Sequence, residues 1–189
     1  MTTSNTPFRY EFIRSLETLQ EELTGLYTRR HFKTRYQTEL NDNPKFDDFA
    51  MLIITIDNLS DLQGELGYSG VQVFIQAIGT FISKHFSEVG GFSTRYSFNQ
   101  YTTMLPYADM DEARSLAQNF AADFTRNGIP QMQKFVSTEM ACKDAVSVTM
   151  RAGVAQGKRH VEIDTIIAKA ESNQETLLEF NARCKGIET

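Results

Sequence analysis

Tryptophan is absent from this chain of 189 residues, and cysteine (two), histidine (three) and proline (four) are scarce. Cys142 and Cys184 stand far apart with no CxxC or Cys/His spacing. That excludes a disulfide framework or zinc site and reads as two reduced thiols. His31, His85 and His160 are isolated from one another, so no His-based metal centre and no Ser/His/Asp pattern is spelled out. No Gly-rich phosphate loop, internal repeat or low-complexity tract occurs. No apolar run reaches membrane-spanning length and the N-terminus has no signal-peptide pattern, so a cytoplasmic protein without a membrane partner is expected. Positive charge is not in surplus either. Lys plus Arg is 19 against 24 for Asp plus Glu, a formal −5, which argues against a nucleic-acid-binding surface. What is there is an ordinary globular composition, 41% apolar and 23% charged, with enough chain for one well-cored domain and an extension.

In chain order, residues 1–7 read as a polar tail. Phe12, Leu16 and Leu19, with Ile13 beside them, recur at helical spacing, predicting a short helix from Phe8 to about Gln20 that must pack on the domain or on a partner. Gly25 permits a tight turn, and Thr28 is the expected N-cap of a helix running to about Leu40, with Phe32 and Tyr36 on one face. Asn41 to Asp48 reads as a polar loop. Phe49 to Ile56 is a near-continuous apolar run that predicts a strand buried on both faces. Val73, Phe74, Ala77, Ile78, Phe81 and Ile82 form a broad stripe, predicting a helix from about Gly70 to His85. Asp109 and Glu112 look like a capping box opening a helix that Gly128-Ile129-Pro130 ends. Phe135-Val136 suggests a strand and Lys143-Asp144 a turn, followed by a strand over Val146–Ala155. Arg151 is unusual there, and the expectation is that it reaches solvent or a carboxylate. Ile166, Ile167, Ala170, Gln174, Leu177 and Leu178 predict a last helix from Asp164 to Arg183.

The most telling stretch is Arg95-Tyr96-Ser97-Phe98-Asn99-Gln100-Tyr101-Thr102-Thr103-Met104-Leu105-Pro106. It reads as two short strands joined by a polar turn. With Glu21-Glu22-Leu23-Thr24-Gly25-Leu26-Tyr27-Thr28-Arg29-Arg30-His31-Phe32, it resembles GGDEF domains, the diguanylate cyclases that condense two GTP molecules into cyclic di-GMP. The first stretch matches the frame around their signature hairpin, and the second matches their D-x-L-T-G-L-x-N-R-R-x-F entry motif. The resemblance covers residues 21–186 and implies an α/β (α+β) sandwich. Its central mixed β-sheet would be flanked by helices, as in nucleotide cyclases, with residues 1–20 as a tail and signalling-type helix.

The resemblance also implies where function would sit, and there the chain departs from the family. Ser97, Phe98, Asn99, Gln100 and Tyr101 stand where the five signature residues belong. Phe98 puts a large side chain where a glycine lets phosphates approach the backbone. The metal positions are Thr55 and Asn99, neutral where a hard dication wants charged oxygen. Asp57, the second Asp of the family's D-I-D, remains and reads as a cap or turn residue. The guanine-binding positions are Gln63 and Gln72, which lack the carboxylate that pairs with the base; poorly paired buried donors cost about 1–3 kcal/mol. The phosphate-binding Lys and Arg fall on Leu178 and Ala182. The inhibitory R-x-x-D site falls on Glu88 and Gly91, so that site too is expected to be missing.

Joint loss of these groups predicts a catalytically inactive domain, without metal or cofactor, that acts as a protein-interaction or regulatory module in cyclic di-GMP signalling. Its expected partners are other signalling proteins, with a possible homodimer through the N-terminal helix. Tyr96, Phe98 and Tyr101 would anchor the hairpin face unless strand alternation buries them. A sensor that binds GTP or cyclic di-GMP without turnover is the alternative, and residual cyclase activity the third reading.

Overall fold

The computed structural model describes residues 19–42, 48–132 and 145–183. The expected N-terminal helix therefore lies outside the described residues except at Leu19 and Gln20. There the chain forms a turn and an isolated bridge to Tyr27, not a helix. The Phe135-Val136 strand, the Lys143-Asp144 turn and both cysteines also fall outside.

Helix α1 spans Arg29–Asp42. The Thr28 hydroxyl accepts from the His31 amide at 3.3 Å, as an N-cap should. Strand β1, Asp48–Ile56, is the centre of the molecule. Its even residues Ala50, Leu52, Ile54 and Ile56 join one core, and its odd residues Phe49, Met51 and Ile53 join the other. A strand that is apolar at every position from Phe49 to Ile54 must be covered on both faces, and it is. Helix α2, Leu59–Ser87, and α3, Met110–Asp123, cover the first face. Helices α1 and α4, Ile163–Ser172, cover the second.

The sheet has five strands in the order β2-β3-β1-β4-β5. The remaining four are β2 Phe92–Arg95, β3 Gln100–Pro106, β4 Ala145–Lys158 and β5 Glu175–Arg183. All four ladders are antiparallel, so the sandwich is as expected but its sheet is not mixed.

Three helix ends depart from the sequence reading. Helix α2 begins eleven residues before Gly70, at Leu59, because Gly67 adopts φ 70° and ψ 178° and joins two helical segments across a kink. Helix α3 opens on the expected capping box, with Asp109 accepting from Asp111 and Glu112. It does not stop at Gly128, however. It widens into a π-turn over Phe124–Gly128, where the Ile129 amide reaches back to the Phe124 carbonyl, and the backbone stays helical to Met132. Gly128 lies against the Phe124 ring, where a Cβ would collide. Pro130 is tolerated because the wider turn has already broken the regular amide register.

The largest correction is at the C-terminal end. Helix α4 stops at Ser172, and the chain runs on as β5. The apolar residues from Ile166 to Leu178 imitate a helical stripe. Beyond Asn173, though, the open edge of β4 supplies ladder hydrogen bonds, and the sequence Glu175-Thr176-Leu177-Leu178-Glu179-Phe180 takes them.

Candidate functional site

The signature stretch is a β2–β3 hairpin, and its apex is braced from behind. Arg95 donates from Nε and Nη2 to the Phe98 carbonyl at 3.2 and 2.8 Å. Its Nη1 pairs with Glu21 at 2.9 Å, and Glu21 in turn accepts from the Thr24 hydroxyl at 2.6 Å. The entry motif and the hairpin are thus one unit: Glu21, Thr24 and Arg95 hold the turn in place. On the other flank, Arg29 stacks 3.9 Å from the Tyr96 ring centroid and donates to its hydroxyl. Tyr96 donates to Asp164 of α4, which also receives Lys33 of α1. The lysine and then the tyrosine hydrogen bond hold the Asp164 carboxyl below the usual carboxylate range. Burial and then the bond to Asp164 push the Tyr96 phenol upward.

Of the three aromatic anchors expected on the hairpin face, one is exposed. Phe98 at the apex is 50% accessible, whereas Tyr101 is 1% accessible and belongs to the core. Tyr96 is half-buried. Strand alternation decides this, since Tyr101 lies opposite Arg95 and Ile54 in its two ladders and faces the α2/α3 layer.

Thr55 and Asn99 do come together, at the end of β1. The Ile56 amide donates to the Asn99 carbonyl at 2.9 Å, and the Asn99 side-chain amide donates back to the Ile56 carbonyl at 3.0 Å. The Thr55 hydroxyl, 8% exposed as a residue, accepts from Gln174 at 2.6 Å. Gln100 donates to Glu171 at 2.7 Å. The turn after α4 is therefore stapled onto β1 and the hairpin by side-chain amides. Asp57 receives Arg151 in a fork, with three contacts of 2.7 to 2.9 Å. Of the two expected destinations, solvent or a carboxylate, the side chain takes the carboxylate, and that hydrogen bond raises the guanidinium's affinity for its proton.

A magnesium ion would need charged oxygens converging on this strand end. The side chains that converge there are amide donors and a hydroxyl, already hydrogen-bonded; the one carboxylate among them, Glu171, accepts from Gln100, and both Asp57 oxygens face a guanidinium. The residues present do not fit such an ion. Among the described residues no group of three or more His, Cys, Asp or Glu is placed to hold a metal.

The remaining expected positions do not gather around this point. Gln63 and Gln72 sit on α2 on either side of the Gly67 kink, exposed and half-exposed. Leu178 and Ala182 lie on β5, opposite Met150 and Val146. This corrects their placement on a helix. The helix ends at Ser172, before either position is reached. Glu88 is exposed after α2, and Gly91 is buried where a Cβ would meet the Phe86 carbonyl. Sequence reasoning missed Glu171, Gln174 and Asp164 as hairpin and strand partners. Their contacts span 68 to 119 residues, and no local pattern marks them.

No helix among the described residues is long and apolar enough to cross a membrane. No curated protein matches the chain by sequence. Solved structures do match it in fold. The coiled coil and GGDEF domain of DgcB from Caulobacter crescentus, solved with c-di-GMP, gives a TM-score of 0.70 at 13% identity, covering 87% of this chain and 82% of that one. The FimX GGDEF domain from Pseudomonas aeruginosa gives 0.61 at 16%, covering 82% and 90%. Diguanylate cyclase SiaD from Pseudomonas aeruginosa, solved with its activator SiaC, gives 0.66 at 14%, covering 88% and 61%. The model of the diguanylate cyclase GGDEF domain matches residues 18–179, and this chain belongs to the GGDEF family.

Proposed function

We propose that this domain has left catalysis and serves cyclic di-GMP signalling as a protein-interaction or regulatory module in a bacterial cytoplasm. The observation that carries the reading is the closed amide network at the end of β1. Asn99 presents a donor to the Ile56 carbonyl, where a catalytic domain of this family would hold a cation, and Gln174 seals Thr55. Two-metal phosphoryl transfer needs carboxylates that bridge the ions and groups that hold the triphosphate, and neither set is assembled among the described residues. The braced hairpin supports a binding role: Phe98 is exposed, and its backbone is fixed by Arg95 before any partner arrives, which lowers the entropic cost of docking. Residues 1–20 then form the link to the rest of a signalling assembly, with residues 21–186 as the domain body. SiaD, solved with its activator, illustrates that a protein containing this fold engages a protein partner.

Calorimetric titration of the whole chain with GTP and with cyclic di-GMP, with and without Mg²⁺, tests this. No heat with either nucleotide is expected. Micromolar binding without turnover would make the domain a nucleotide sensor instead, and cyclic dinucleotide formed from GTP with Mg²⁺ or Mn²⁺ would overturn the proposal. Light scattering with and without residues 1–18 tests the homodimer: loss of the dimer on truncation is expected.

A further inference from the structure

At the far edge of the sheet from the hairpin, β5 departs from strict alternation. Met150 pairs with Leu178 and Arg151 with Thr176, so Leu177 is an extra, unpaired residue. A bulge of this kind re-aims side chains. Its effect here is that two consecutive leucines, Leu177 and Leu178, both turn towards the α2/α3 side, and both stay only partly buried. Between them and α3 lie two cavities of about 580 and 440 Å³. Both are lined by Gln118 and Leu177, so they form one continuous trough.

The trough has a chemical direction. One end offers the side-chain amides of Gln118, Asn173 and Gln174 beside an apolar floor of β4, with Glu175 and an Arg114 already paired to Asp111 at its margin. Of these, Asn173 and Gln174 use their N–H groups internally, on the Val154 carbonyl and on Thr55, which leaves their carbonyl oxygens as acceptors. The other end is Ala121, Ala122, Leu177 and Leu178, and the single charged residue lining it is Arg126. From Arg114 at one end to Arg126 at the other is twelve residues of helical backbone, roughly 18 Å at 1.5 Å per residue. That distance matches about five or six residues of extended chain.

We infer that this trough binds an extended peptide segment of a partner protein, one that carries an apolar side chain followed by a carboxylate. The peptide's backbone N–H groups donate to the free amide oxygens at the polar end. Its leucine-sized side chain covers Leu177 and Leu178, and its carboxylate meets Arg126. The inference stands apart from the hairpin, no residue of which lines the trough, and it shares only Gln174 with the network at the end of β1.

The test is titration of the full chain with an acetylated, amidated peptide Gly-Ser-Gly-Leu-Asp-Asp, and with its Gly-Ser-Gly-Leu-Lys-Lys counterpart. Saturable binding of the acidic peptide with Kd below about 1 mM, and at least tenfold weaker binding of the basic one, is expected. Leu177→Asp should abolish binding. Arg126→Glu, at an exposed position, should leave the unfolding midpoint in place and reverse the preference between the two peptides. Equal binding of both peptides, no saturable binding of either, or an Arg126→Glu variant that keeps the original preference would each overturn the inference.

Discussion

The buried hydroxyl of Tyr101 is the most direct test of how this hairpin is built. The side chain is 1% accessible, and its oxygen has no hydrogen-bond partner among the described residues. The family resemblance puts phenylalanine here, so Tyr101→Phe removes only the oxygen. A buried polar atom left unpaired costs about 1–3 kcal/mol. Against this, the vacated volume forfeits a few dispersion contacts of about 0.1–0.2 kcal/mol each. The variant should therefore be more stable by roughly 1 kcal/mol, or about 2–4 °C in Tm for a chain of this length.

The alkaline behaviour sharpens the test. Burial pushes the Tyr101 phenol far above its usual range, with nearby Arg95 pulling weakly the other way. The folded protein keeps a proton that the unfolded chain releases near pH 10. Stability from this group is thus complete below that pH and falls as the pH climbs towards the folded value. Tyr36, pushed up to about 12 by burial and then by Glu162, acts in the same direction in both proteins and cancels in the comparison. Urea unfolding of the two proteins at pH 7 and at pH 10.5 should show the advantage of the variant widening with pH. A variant less stable than wild type at pH 7 would refute the reasoning, since it would mean that the hydroxyl is hydrogen-bonded, to water if not to protein.

The rest concern the stapled site. A Cβ at Gly153 would run into the Ala170 carbonyl oxygen, so Gly153→Ala should lift α4 off the sheet and cost roughly 2 kcal/mol in chemical unfolding; a change below 0.5 kcal/mol would show that α4 tolerates the shift. Arg151→Ala breaks the fork on Asp57, whose partners are 43% and 28% exposed, and should cost about 1 kcal/mol at low salt and less at high salt. The double change Thr55→Asp with Asn99→Asp returns two carboxylates to the strand end. It should give measurable Mn²⁺ binding by calorimetry yet no cyclic dinucleotide from GTP, and product formation would show that the triphosphate is held by groups other than those considered above.

What was readable in the chain was what local order encodes. The run from Phe49 to Ile56 has to be a two-faced central strand, Asp109 and Glu112 have to open a helix, and the Glu21–Phe32 and Arg95–Pro106 stretches mark the family. Arg151 on a buried strand called for solvent or a carboxylate, without saying which carboxylate. The largest failure was settled by a partner distant in sequence, whereas the Gly67 kink and the Phe124–Gly128 π-turn are local. The spacing from Ile166 to Leu178 satisfies a helix as well as a strand, and nothing within that window says that the edge of β4 is open and will take the segment after Asn173. That single choice carries the functional consequences. By ending α4 at Ser172, it moves the positions expected to hold phosphates onto an edge strand. It also brings Gln174 down onto Thr55, and it leaves the bulged leucines facing α3. Substitutions in the signature hairpin weaken the case for catalysis one residue at a time, and the shortened helix places Leu178 and Ala182 together on an edge strand. Restoring the hairpin alone should therefore not restore the chemistry.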